Sequence, residues 1–294
     1  MKYIITTENS GKTIKEFLRE QSFSANLIKK LKKIENGITV NSVHQNVLYR
    51  LAENDILNLL DEDAAEDINE YLEAVDLPID IIYEDENLTV VNKPSNMPTH
   101  QSLNNHGNTL ANALKFRYKD KAYVFRATNR LDKDTSGVVI TANNQYYASL
   151  LSKKIKSGEV TKEYIAVVSG RLEGQGIIDA PIDRVGDSII KRIVRPDGEV
   201  AITEYKSLIS TDEISVVSVS PITGRTHQIR VHMAHIGHPI IGDELYFEKS
   251  EYIDRQALHC KKMDVLGIGC FIAPIPNDMM ELLGRYFTDE EIRF

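Results

Sequence analysis

From Asp61 to Asn87 the chain carries twelve Asp and Glu and not one Lys or Arg. A run of one sign repels itself and stays solvated, so it reads as a connector and divides the chain into two units. The flanks differ in charge. Residues 1–60 hold nine Lys and Arg against six Asp and Glu, whereas residues 88–294 hold 26 against 25. The net charge of -8 therefore belongs to one segment. It does not exclude a polyanionic partner, whose phosphates need only a local cluster of cations. We place the linker at residues 61–77, between a unit of residues 1–60 and one of residues 78–294.

The first unit is small, helical first and then β. Ile14, Phe17 and Leu18 fall at i, i+3 and i+4 of one short helix. In a second, Ser24 is placed as N-cap and Leu27, Ile28, Leu31 and Ile34 form the apolar stripe. Lys29, Lys30, Lys32 and Lys33 lie largely off that stripe. Asn36-Gly37 ends this helix and turns into the short strand Ile38–Asn41. The lysines make either a solvated face or a phosphate-binding one.

The second unit opens on strands, Ile81–Tyr83 and Leu88–Val91, stopped by Lys93-Pro94. Helical spacing covers Thr109–Tyr118 and Asn143–Ser157, the latter with Tyr147, Leu150, Leu151 and Ile155 on one face. Glu163–Val168, Thr203–Ile209 and Ile214–Val219 are short β-branched runs separated by polar turns, which favours antiparallel pairing. Strands bunched without regular helical alternation predict an α+β fold with a mixed, largely antiparallel sheet.

Other classes drop out quickly. No stretch approaches the ~20 apolar residues of a spanning helix, so a cytoplasmic chain is expected. Cys260 and Cys270 are too few for a disulfide framework or a thiolate zinc site. His227, His232, His235 and His238 are close in sequence, but Gly237 and Pro239 break the helix around His238. No metal and no cofactor is expected.

Two dense polar clusters remain. Asn129 to Gly137 brings an Arg, two carboxylates and two hydroxyls to the foot of the strand beginning Val138-Val139-Ile140, where a rigid element can aim them. Ser220 to His232 gathers cations around the tight turn Thr223-Gly224, with Arg225 just before a helix start and Arg230 five residues on. An Arg at 225 can hold a carboxylate by a two-pronged hydrogen bond, with Asp132 as candidate partner. A purely structural ion pair is the alternative. Tyr164, at the start of a strand, is either packing or a polar handle in a cleft.

Taken together, these motifs resemble the RluA-type family of pseudouridine synthases. Four segments in family order carry the likeness: Val91-Asn92-Lys93-Pro94 with His100 downstream, Asn129 to Gly137, Lys162-Glu163-Tyr164, and Thr223 to His232 continued by Gly237 to Asp243. The order of pieces in residues 1–60 is similar to an S4 RNA-binding fold. The resemblance implies a catalytic domain of pseudouridine synthase type that detaches uracil at N1 and reattaches it through C5. Asp132 would be the essential carboxylate, Arg225 its partner, and Tyr164 the ring that stacks on uracil and serves as a base. Arg130 would help displace the uridine, and Lys29, Lys30, Lys33, His227 and Arg230 would contact RNA. The implied partner is structured RNA, 23S ribosomal RNA first and transfer RNA second, with the chain a monomer. One departure is Asn129, where relatives commonly carry histidine.

Two rivals come from other classes. Asp132-Lys133-Asp134-Thr135 matches the Asp-x-Asp-x-Thr signature of haloacid-dehalogenase-type phosphatases, but no buried parallel strand precedes it. A non-catalytic RNA-binding or ribosome-assembly protein is the second.

Overall fold

The computed structural model describes residues 1–60, 71–102, 106–121, 123–186, 188 and 190–293. The first 60 residues form β1 (Lys2–Ile4), α1 (Ile14–Glu20), α2 (Ala25–Leu31), β2 (Ile38–Val40), β3 (Val43–His44) and β4 (Ile56–Leu59). Their four-stranded sheet runs β1-β4-β2-β3. Thr13 caps α1 in a reciprocal capping box with Glu16, and Ser24 caps α2 through the Leu27 amide. Ile14, Phe17, Leu18, Leu27, Ile28 and Leu31 turn inward onto Ile38, Val40 and Leu57, a core separate from that of the later residues. α2 stops at Leu31, one turn before the predicted end, so Ile34 and Lys33 lie in the following turn. There Asn36 takes the left-handed conformation that Asn tolerates best among non-glycine residues.

Residues 61–70 of the expected linker lie outside the described residues. Its remainder is less solvated than its charge implied. Leu72 is buried, and the Asn112 side chain donates to the Glu73 carbonyl at 2.8 Å.

The second unit comprises β5 (Asp80–Glu84), β6 (Leu88–Lys93), α3 (Leu110–Arg117), β7 (Ser136–Ala142), α4 (Gln145–Lys156), β8 (Val160–Ser169), β9 (Gln175–Asp179), β10 (Ile182–Arg184), β11 (Arg192–Val194), β12 (Ile202–Ser210), β13 (Ile214–Pro221), α5 (Gln228–His235), β14 (Leu258–Val265), β15 (Gly269–Ile272) and α6 (Asn277–Leu283). One sheet runs β5-β6-β7-β14-β8-β13-β12-β9, with β15 added to β14. Among these pairings only β14 with β7 is parallel, so the expected α+β, largely antiparallel architecture holds. β7 is buried along its whole length, which explains its unbroken Val-Val-Ile run.

Gly137 is required where β7 meets β14. Its φ is +115°, and a Cβ there would run into the Cys260 backbone.

Two buried imidazoles make the fold acid-sensitive. His259 packs under β7, its Nδ1 2.9 Å from the Ser136 hydroxyl, and burial pushes it down to about 4. His232 sits between the Thr203 hydroxyl at 2.8 Å and the Ala180 carbonyl at 2.9 Å, also lowered by burial. A depressed imidazole means that the unfolded chain binds the proton first. Stability contributed by the neutral ring is complete above pH 6.5 and is lost as pH falls toward 4. For His259 the loss amounts to about 3 kcal/mol. Urea midpoints measured from pH 7 to pH 4 should fall steeply in the wild type and less so in His259→Gln.

Candidate active site

The polar stretch before β7 is a loop fixed at nearly every residue. Asn129 is buried, donates to the Val138 carbonyl and accepts from the Ile140 amide, both at 3.0 Å, so its side chain extends the edge of β7. The Thr99 hydroxyl donates to the Leu131 carbonyl at 3.1 Å and accepts the Leu131 amide at 3.2 Å. Lys93, wholly buried at the end of β6, donates to the carbonyls of Pro94, Met97 and Lys133 at 2.8, 2.7 and 3.1 Å. Arg255 reaches the Asp134 carbonyl, and Gln256 reaches the Thr135 hydroxyl. The Thr135 amide closes the turn on the Asp132 carbonyl at 3.1 Å. The loop around Asp132 is thus held without use of the Asp132 carboxylate, which faces a cleft.

That cleft has a volume of about 450 Å³ and is walled by His100, Asp132, Lys162, Tyr164, His227 and Arg230 among others. Among the described residues Asp132 is its one carboxylate. The opposing cation is Arg230, not Arg225: Arg230 Nη1 lies 3.2 Å from Asp132 Oδ2. Arg230 is itself clamped, because its Nε and Nη2 donate to the two oxygens of fully buried Asp243, each at 2.7 Å. Its guanidinium also lies 5.1 Å from the centre of the Tyr246 ring. A forked guanidinium spends two edges on its anchor and aims the third at the carboxylate. Arg225 also borders the cleft, but its guanidinium bonds the Val200 carbonyl at 2.9 Å and Glu199 at 2.5 Å, with its side chain 40% exposed.

Between them lies His227. Its φ of +58° is left-handed, and α5 begins only at Gln228, so a backbone turn stands between the two arginines. The His227 Nε2 stands 3.9 Å from Asp132 Oδ2, and its Nδ1 is bonded to the Tyr246 hydroxyl at 2.9 Å. Burial holds this ring neutral more readily than a free one, partly opposed by Asp132.

Tyr164 comes from β8 and forms an inner wall. Burial, the neighbouring Cys260 and a hydrogen bond to that thiol raise its phenol well above the usual range. Cys260 is likewise pushed up to about 12. The ring is therefore a neutral surface.

Of the remaining sequence-predicted residues, Arg130 is exposed at the rim of the cleft. Lys29 and Lys30 are exposed on α2 but line different grooves, and Lys33 lies beyond the helix. Arg230, expected to contact RNA, is instead consumed by the two carboxylates. His238 bonds the Ser169 carbonyl and His232 is enclosed, so neither faces the cleft. Sequence reasoning assigned no role to Asp243 or Lys93. The position of Asp243 within the Gly237–Asp243 segment was its one signal.

Residues 87–235 match the family model described as RNA pseudouridylate synthase. The chain belongs to this family. It is 38% identical over 280 residues to Uncharacterized RNA pseudouridine synthase YjbO of Bacillus subtilis, covering 92% of this chain and 98% of that one. It is 37% identical over 240 residues to Ribosomal large subunit pseudouridine synthase D of Escherichia coli, covering 74% of each. Among solved structures it is similar to Human RNA Pseudouridylate Synthase Domain Containing 1, with a TM-score of 0.57 and 26% identity over 68% of this chain and 83% of that one. Human RNA Pseudouridylate Synthase Domain Containing 4 shares the fold, with a TM-score of 0.59 and 24% identity over 70% of this chain and 92% of that one. The pseudouridine synthase family makes this chain an isomerase acting on RNA, as the resemblance implied. Among the described residues no helix is long and apolar enough to cross a membrane.

Proposed function

We propose that this synthase converts one or more uridines of large-subunit ribosomal RNA to pseudouridine, with Asp132 as the essential carboxylate. The observation that carries the reading is the set of contacts around Asp132: a cleft-facing carboxylate on an immobilised loop, opposed by an arginine that is itself anchored. Transfer RNA is the second substrate class. The relationship to a named ribosomal large subunit synthase favours the first.

The reaction breaks the bond between C1′ and N1 and forms one between C1′ and C5. The C5 proton leaves and N1 gains one, so nothing is oxidised or hydrolysed. Asp132 acts on the sugar, by attack or by taking a proton in an elimination. Tyr164 packs its neutral ring against the uracil. The C5 proton passes to a base in the cleft, for which Tyr164 and His227, the latter 3.9 Å from Asp132, are the candidates. The target base has to leave its stack at a cost of a few kcal/mol, and Arg130 at the rim fills the vacated space. Residues 1–60 serve as an S4-like RNA-binding module ahead of a catalytic domain of residues 78–294, with cations on α2 facing phosphates.

The test is a map of pseudouridines, made by a base-specific chemical adduct, in ribosomal and transfer RNA from a strain lacking this protein. At least one large-subunit site should vanish and return on complementation. Loss confined to transfer RNA would reassign the substrate.

A further inference from the structure

The cleft does not end at Asp132. Its wall residues Ala127, Thr128 and Ile155 are shared with a groove of about 280 Å³ that continues past Arg126, Ala148 and Lys156. Arg126 and Ala148 are shared in turn with a third groove, of about 330 Å³, which ends on Ser24, Asn26 and Lys30 of the N-terminal unit. The three cavities adjoin one another through shared walls, in a row from the Asp132 loop to α2. In a chain of net charge -8, no Asp or Glu among the described residues lines either outer groove, while Arg126, Lys156 and Lys30 are spaced along them. Between the cations lies a small apolar floor of Ala127, Ala148 and Ile155. Ile155 belongs to the apolar face of α4 yet is 36% exposed.

The row is fixed in shape where it crosses from one unit to the other. Phe23 packs on Tyr146 with ring centres 4.7 Å apart, and Lys153 Nζ reaches the Ser22 hydroxyl at 3.1 Å. α2 is thereby seated on α4. The neighbouring cations divide accordingly: Lys29 of α2 and Lys32 just past its end line a separate groove with Lys15 and Arg19, whereas Lys30 lines the row of cavities that leads to Asp132.

We propose that this row of cavities is the track for the single strand of RNA flanking the target uridine, its phosphates on Arg126, Lys156 and Lys30 and its sugars and bases over Ala148 and Ile155. A cationic groove over a small apolar shelf is the arrangement that follows a nucleic-acid backbone without reading sequence. The proposal rests on RNA being the substrate and deepens that reading by fixing the direction in which the strand leaves the cleft.

The test compares the full chain with Arg126→Ala/Lys156→Ala, using fluorescent oligouridylates of 3 and 12 nucleotides. Loss of two phosphate contacts should lower the salt slope for the 12-mer by about 1.4, which is about 25-fold in affinity at 0.1 M salt. Binding of the 3-mer, which is too short to engage the cleft and both outer grooves at once, should change far less. Lys156→Ala alone, at an exposed position, should give about half the slope change and guards against misfolding at Arg126. Equal affinity of wild type and both variants for the 12-mer overturns the track. So does a 12-mer that responds to Lys29→Ala/Lys32→Ala instead, which would route the strand through the other groove. Conversion of uridine in a ribosomal RNA transcript, assayed alongside, separates the two readings. Activity with unaltered 12-mer binding in the variants discards the track alone, and track-dependent binding without conversion discards the substrate alone.

Discussion

Arg230→Ala is expected to slow single-turnover conversion of uridine by at least about a hundredfold, while Arg225→Ala stays within a few-fold of wild type. Truncating one partner of a buried, hydrogen-bonded charge pair costs about 3–5 kcal/mol, much of it from the charge left behind. Arg230 has two such partners. Its removal strands Asp243, which is fully buried, and withdraws the cation facing Asp132. The variant should therefore lose stability as well as rate. Arg230→Lys should recover part of the stability and little of the rate, because a point charge cannot span both carboxylates as a fork does. Arg225 pairs with Glu199 at the surface, where such a pair is worth about 0–1 kcal/mol. Comparable losses in the two alanine variants would place the partner of Asp132 wrongly.

That contrast marks what the amino-acid order could and could not disclose. β-Branched runs and polar turns located the strands of the sheet, because burial on both faces selects apolar side chains at Val138-Val139-Ile140 of β7 and at Ile165–Val168 of β8. The Asn129–Gly137 cluster by itself reads equally as an ordinary polar turn, since the same residue types dominate turns, and it became legible as a site only beside the three other segments in family order. Which arginine faced it was not legible. Arg225 and Arg230 are five residues apart in one cluster, and they are separated by a left-handed His227 and by an aspartate 13 residues further on. No local spacing encodes either. Lys93 was hidden for a similar reason. A Lys-Pro pair at a strand end reads as an exposed stop, whereas the side chain folds under the loop and satisfies three carbonyls. Asn129, which departs from the usual histidine, proves legible only in three dimensions, where its amide matches the edge of β7 as a backbone unit would.

Asp132 carries the largest expected effect. The turn around it depends on its backbone carbonyl and on bonds made by its neighbours, so Asp132→Asn keeps the loop, the cleft and the neighbouring side chains in place. Its side chain is 28% exposed, and the substitution changes charge and basicity rather than volume. An amide can neither attack the sugar nor take a proton from it. Removal of a lone nucleophile or base from an otherwise intact site costs on the order of 10⁴ or more in rate. RNA affinity should stay within about threefold, since phosphate contacts supply most of the binding.

The direct test is single-turnover conversion of uridine to pseudouridine in a large-subunit ribosomal RNA transcript by wild type and Asp132→Asn, with the affinity of each protein for the same transcript measured in parallel. The structure predicts full affinity with no detectable conversion in the variant. Conversion at or near the wild-type rate would show that the cleft-facing carboxylate held opposite Arg230 is not the group that performs the reaction.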